Sequence, residues 1–155
     1  MIGYGFGTGS SSARDRGYTM ARASLYAQAM TTALKLIVRE PRPDRSGEND
    51  SFPSGHTTNA FSFASVVSAE HGWYWGALAY SYATVVAYGR INDNRHLTHD
   101  VVSGAAVGVS YGLGLYYRQL QRAEMQTTSS SSSLNFQLLP TRRLDGAVAL
   151  LSREF

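Results

Sequence analysis

Three of the chain's four prolines lie between residues 41 and 53, and they decide where its helices can run. Upstream, in "RDRGYTMARASLYAQAMTTALKLIVR" (14–39), apolar residues recur at intervals of three and four, the period of an amphipathic helix. Pro41 and Pro43 close that helix, because the residue before a proline is pushed out of the helical region and proline has no N–H to donate. "DRSGEND" (44–50) then reads as a polar loop, and Pro53-Ser54-Gly55-His56 as a sharp corner opening a second helix from about 54 to 70. A third helix is expected from about 73 to 90 after the break "EHGW", and a fourth from about 96 to 122 after the turn "INDNR". Four helical segments with short polar joints predict an all-α bundle.

The ends of the chain read differently. Residues 1–13 are rich in Gly and Ser; Gly3, Gly5, Gly7 and Gly9 follow no strand and lack dinucleotide-site spacing, so a flexible lead-in is expected. The start "MIGYGFGTGSSSARDRG" lacks the pattern of a signal peptide. "QTTSSSSS" marks a low-complexity linker, placed at 123–133, and 134–155 alternates in short apolar stretches around Asp145-Gly146, as a β-hairpin-like or extended segment would. On the fourth helix, Gly104, Gly108 and Gly112 form a smooth stripe where a neighbouring helix can come close.

Composition narrows the function classes. The 155 residues, 43% apolar, suffice for one domain with a real core. There is no cysteine, hence no disulfide framework and no thiolate metal site. The net charge is +3, thirteen of the fourteen basic residues are arginine, and Lys35 is the one lysine. No basic run with interleaved aromatics appears, so nucleic acid is not an expected partner. "YWGALAYSYATVVAYG" and "VVSGAAVGVSYGLGLYY" are diluted by Ser, Gly, Ala and Tyr, and read as buried bundle helices before membrane helices. The aromatic residues Trp73, Trp75, Tyr80, Tyr82 and Tyr88 suit either a core or a bilayer interface.

Residues able to hold an anion or move a proton gather at helix ends: Lys35 with Arg42; Ser54, Gly55 and His56; Arg90, His96 and Asp100. Singly each is ordinary; an exposed His–Asp pair four apart contributes only about 0.3–0.5 kcal/mol. Together, guanidinium and ammonium groups, a hydroxyl and helix N-terminal amides can surround a phosphoryl group and neutralise the charge of its transition state. One histidine can attack phosphorus while another protonates the departing oxygen, and Asp100, one turn after His96, can orient its ring.

Lys35-x6-Arg42-Pro43, Pro53-Ser54-Gly55-His56 and Arg90-x5-His96-x3-Asp100 resemble the three-part signature of the type 2 phosphatidic acid phosphatase superfamily, which includes bacterial class A acid phosphatases and vanadium haloperoxidases. The likeness covers 35–100 tightly and 14–122 loosely. It implies a helical bundle of that type, shortened at the N-terminus relative to the family's six helices. It also implies Lys35, Arg42 and Arg90 as phosphate clamps with Ser54 and the Gly55 amide, His96 as nucleophile forming a phosphohistidine, Asp100 as its orienter and His56 as general acid. No metal is implied. Gly89 stands where the family usually has serine before the arginine, a change that should weaken the cradle. His99 and His71 are expected to be neighbours rather than catalysts.

The function expected is a metal-independent phosphomonoesterase acting on a lipid phosphate, an isoprenyl pyrophosphate or a soluble monoester, without cofactor. The rival readings are a vanadate-dependent haloperoxidase, which would need vanadate, and a non-catalytic phosphate-binding fragment. The low overall hydropathy leads to an expectation of a bacterial periplasmic or membrane-associated protein with peripheral membrane contact; oligomeric state is left open.

Overall fold

A computed structural model describes residues 11–131, 135–140 and 147–152, with side chains from 14 to 125. It contains α1 (Ser11–Val38), α2 (Gly55–His71), α3 (Trp73–Asn92), α4 (Thr98–Ser131), β1 (Asn135–Pro140) and β2 (Ala147–Ser152). Two compact units result, Met1–Arg118 and Gln119–Phe155. The all-α expectation holds for the first, and each of its helices falls where the apolar period and the prolines place it. Most of the lead-in lies outside the described residues, although the helix already includes Ser11 to Ala13.

Local chemistry accounts for the boundaries. The Arg39 N–H donates to the Lys35 carbonyl at 3.0 Å, and Arg39 itself turns into the left-handed region (φ 51°), so the chain leaves α1 just ahead of Pro41. Gly72 (φ 83°) separates α2 from α3 by adopting a conformation costly for other residues. α4, in contrast, continues past 122 through most of the serine-rich stretch expected as a linker. That stretch holds neither Gly nor Pro, and extending a nucleated helix gains one hydrogen bond per residue fixed.

In the second unit β1 and β2 pair antiparallel, from Asn135 opposite Ser152 to Pro140 opposite Ala147. The turn expected at Asp145-Gly146 lies outside the described residues.

The first unit's core is built from small side chains. Ala60 and Ala64 of α2 meet Ala79 and Ala83 of α3, with Phe61, Val67, Tyr80 and Val86 packed around them. Val66 is the largest fully buried side chain among the described residues. Ala23 and Ala27 of α1 are fully buried, and α1 meets α2 through polar contacts, among them Thr31 Oγ1 donating to Thr58 Oγ1 at 3.2 Å and Gln28 Nε2 to the Gly55 carbonyl at 3.1 Å. Close backbone approach, rather than bulky interdigitation, holds these helices together.

The expectation that the aromatic third helix is buried fails on one face. Gly76, Ala79, Ala83 and Ala87 point inward, while Trp75, Leu78, Tyr82, Val85 and Tyr88 are exposed. Packing at alanine-to-alanine distance leaves no room for the large side chains, which therefore take the opposite face. No helix among the described residues is long and apolar enough to cross a membrane.

The glycine stripe of α4 faces α2. A β-carbon on Gly104 would lie 2.6 Å from the Ser54 carbonyl oxygen, and one on Gly108 would lie 2.9 Å from the Ser62 nitrogen. Backbone cannot yield as a flexible side chain does, so Gly108→Ala should destabilise the protein by about 1–3 kcal/mol. Gly114, whose β-carbon would meet nothing within 4 Å, provides the contrast. Gly114→Ala should stabilise by up to about 1 kcal/mol through helix propensity alone. Opposite shifts in Tm for the two variants would be the expected result.

Candidate active site

The chemistry-bearing residues sit at one end of the first unit, where α1 stops, α2 starts and α3 hands over to α4. The loop after α1 is pinned by the Arg42 N–H to the Glu48 carbonyl (3.0 Å) and the Ser51 N–H to the Glu40 carbonyl (2.9 Å). The Ser54 N–H then donates to the Asp100 carbonyl (3.0 Å), fastening the start of α2 to the first turn of α4. Between α3 and α4, the Arg90 carbonyl accepts from the N–H groups of Arg95 and His96. Arg95 Nη1 reaches Asp44 Oδ2 at 3.1 Å and ties this turn to the loop after α1.

A cavity of about 250 Å³ opens among these ends. Lys35, Arg42, Gly55, His56 and His96 line it, as do Gln28, Asp50 and Asn59. First-turn amides of a helix have no intrahelical acceptor, and the start of α2 at Gly55 borders this space. The remaining sequence-predicted residues stand behind the lining. Ser54 is fully buried and its Oγ accepts from Thr57 Oγ1 at 3.0 Å. Arg90 is close enough to His56 for its charge to depress that histidine's pKa, and its Nε is buried with no hydrogen-bond partner.

Asp100 is wholly buried. Its Oδ2 accepts from Ser51 Oγ at 2.5 Å and from the Leu97 N–H at 2.8 Å, and stands 3.6 Å from His96 Nδ1. Ser51 Oγ is 3.4 Å from the same nitrogen, so the hydroxyl mediates between carboxylate and imidazole. With Nδ1 turned toward this pair, Nε2 is the nitrogen left for the cavity. Sequence reading found His96 and Asp100 by their spacing but missed Ser51. No spacing rule points to it, because its partner lies forty-nine residues away.

Burial, followed by the charges of Arg90, Arg42 and Lys35, lowers the pKa of His56 below the ordinary 6.5. Burial first and then Lys35 lower that of His96 against the opposing pull of Asp100. Lys35 is itself depressed, chiefly by burial, with Asp50 opposing. His99 is raised, mainly by its 2.8 Å contact with Glu40; its Nε2 also lies 3.1 Å from Asp100 Oδ1, but its exposed ring is not part of the cavity lining. His71 lies exposed at the end of α2.

The profile of the PAP2 superfamily matches residues 17–124. The chain belongs to the PAP2 superfamily. A lipid A 1-phosphatase from Porphyromonas gingivalis is 40% identical over 96 residues, 59% of this chain and 21% of the relative, so the chain spans about a fifth of that protein's length. The crystal structure of Aquifex aeolicus LpxE superposes with a TM-score of 0.62 at 27% identity, covering 67% of this chain and 68% of that one.

Within this PAP2 domain the departure at Gly89 is not enforced by space, since a β-carbon there would meet nothing within 4 Å. Ser51 carries more weight: its hydroxyl is the link between Asp100 and His96. Removing it should leave substrate binding intact and loosen the histidine, so Ser51→Ala should lower kcat about tenfold with KM little changed. Steady-state kinetics on an aryl phosphate would measure both.

Proposed function

We propose that this chain is a phosphatase domain that removes a phosphate group from a phosphorylated lipid through a covalent histidine intermediate. One observation carries the reading: His56 and His96 line the same cavity as Lys35 and Arg42, with Arg90 adjacent. A phosphoryl group in that space meets the Lys35 and Arg42 cations and both imidazoles, His96 acting as the neutral base and His56 as the protonated acid. His96 Nε2 forms a bond to phosphorus as the bond to the leaving oxygen breaks, and His56 delivers a proton to that oxygen. Water then attacks the phosphohistidine with His56 accepting its proton, releasing inorganic phosphate. Lys35, Arg42 and Arg90 supply the positive charge that the step requires, so no metal ion is called for.

A lipid substrate is supported by one relative and by the outer surface. One relative is a lipid A 1-phosphatase, and the exposed Trp73, Tyr74, Trp75, Tyr82 and Tyr88 suit the polar–apolar boundary of a bilayer. Peripheral contact with a bacterial membrane follows, bringing the lipid's phosphate to the cavity.

Hydrolysis of a lipid A 1-phosphate and of p-nitrophenyl phosphate, each in EDTA, tests the activity and its metal independence together. Turnover of the lipid that persists in EDTA is expected; dependence on added metal would overturn the mechanism. His96→Ala should abolish turnover of both substrates and prevent trapping of an acid-labile phosphoenzyme. His56→Ala should cost about 10²–10⁴-fold on the lipid alkoxide but far less on p-nitrophenolate, which departs without a proton.

The pH dependence follows from the two depressed histidines. His96 must be neutral to attack, so activity falls as pH drops through its lowered pKa; His56 must be protonated, so activity falls as pH rises through its own. With both below 6.5, the kcat/KM optimum should lie on the acid side of that value. An optimum above neutral pH would contradict this assignment.

A further inference from the structure

The cationic side of the cavity already holds an anion. Arg42 Nε donates to Asp50 Oδ1 at 2.7 Å and Arg42 Nη2 to Asp50 Oδ2 at 3.1 Å, while Lys35 Nζ lies 3.8 Å from Asp50 Oδ2 and donates to the Asp50 carbonyl. This side-by-side pairing uses the fork with which an arginine grips two phosphate oxygens. Asp50 itself lines the cavity, its side chain is 43% exposed, and Arg42 is the only side chain hydrogen-bonded to its carboxylate among the described residues. It is thus held by the groups a phosphate needs and has open space to swing into.

We infer that the Asp50 carboxylate is a resident stand-in for phosphate: it occupies Lys35 and Arg42 in the free protein, yields to the substrate phosphate, and returns as inorganic phosphate leaves. The inference rests on reading the cavity as a phosphate site. Asp50 fills the Nε–Nη2 edge of Arg42 with both carboxylate oxygens, so a phosphate that takes that two-point grip must displace it. Glu48 Oε2, 3.1 Å from Arg42 Nε but 58% exposed and outside the cavity lining, does not compete for the same space. The consequence is a site that keeps its arginine aligned while empty and binds its product weakly.

Calorimetric titration of inorganic phosphate and of orthovanadate into the wild type, Asp50→Asn, Asp50→Ser and Glu48→Gln tests this, with circular dichroism to confirm folding. Both Asp50 variants should bind the anions about fivefold more tightly, the factor matching a partly exposed ion pair of about 1 kcal/mol. Inorganic phosphate should inhibit them correspondingly more strongly. Unchanged or weaker binding in the Asp50 variants would overturn the inference and make Asp50 a positioning residue for Arg42. An equal gain in Glu48→Gln would overturn it too, by showing a general charge effect. Binding is read without turnover, so the two readings separate. Tighter anion binding in variants of a protein inactive on lipids would sustain this inference and remove the proposed function. Lipid turnover with phosphate affinity unmoved by Asp50 would do the reverse.

Discussion

The site depends on how closely α4 approaches α2. Gly104 and Gly108 let the two backbones come within distances that a single methyl group would forbid. That approach allows the Ser54 N–H to reach the Asp100 carbonyl and the Ser51 hydroxyl to reach the Asp100 carboxylate. Push the helices apart by the width of a side chain and the histidine on α4's threshold loses its support. The arrangement of the site is therefore a by-product of packing: the interface that stabilises the bundle also sets the geometry of His96.

The same packing explains an inverted distribution of side chains. Helices that meet through Ala, Gly, Ser and Thr bury little apolar area per residue, and their large residues remain outside. Burial in water rewards the opposite arrangement, so a face carrying Leu78, Tyr82 and Val85 is suited to an apolar neighbour. The lipid phosphatase proposed above would reconcile both facts: close internal packing would keep the site rigid, and the aromatic exterior would meet a bilayer.

Electrostatically, the cavity combines a partly desolvated lysine with histidines whose pKa values burial and then the neighbouring cations lower. Burial and neighbouring positive charge act in the same direction on His56 and His96. Asp50 and Glu48 hold the arrangement together in the absence of a ligand, since Arg42 and Lys35 side by side would otherwise repel.

Much of this was legible in the sequence. The prolines at 41 and 43, the corner at 53–56 and the apolar period located the four helices, because these effects act within a few residues of chain. The three motifs, through a family resemblance, brought Lys35, Arg42, His56, His96 and Asp100 to notice. Their spacing predicted an interaction of His96 with Asp100 but not the hydroxyl between them. Tertiary structure decided what depends on distant partners: that Ser51 joins His96 to Asp100, that Ser54 is buried behind the cavity, and that Asp50 occupies the arginine fork. It also turned the aromatic face of α3 outward, since helical periodicity identifies two faces but not which one a neighbour will cover. Local torsional and capping preferences are written in adjacent residues; hydrogen bonds between the ends of different helices exist only once packing has brought those ends together.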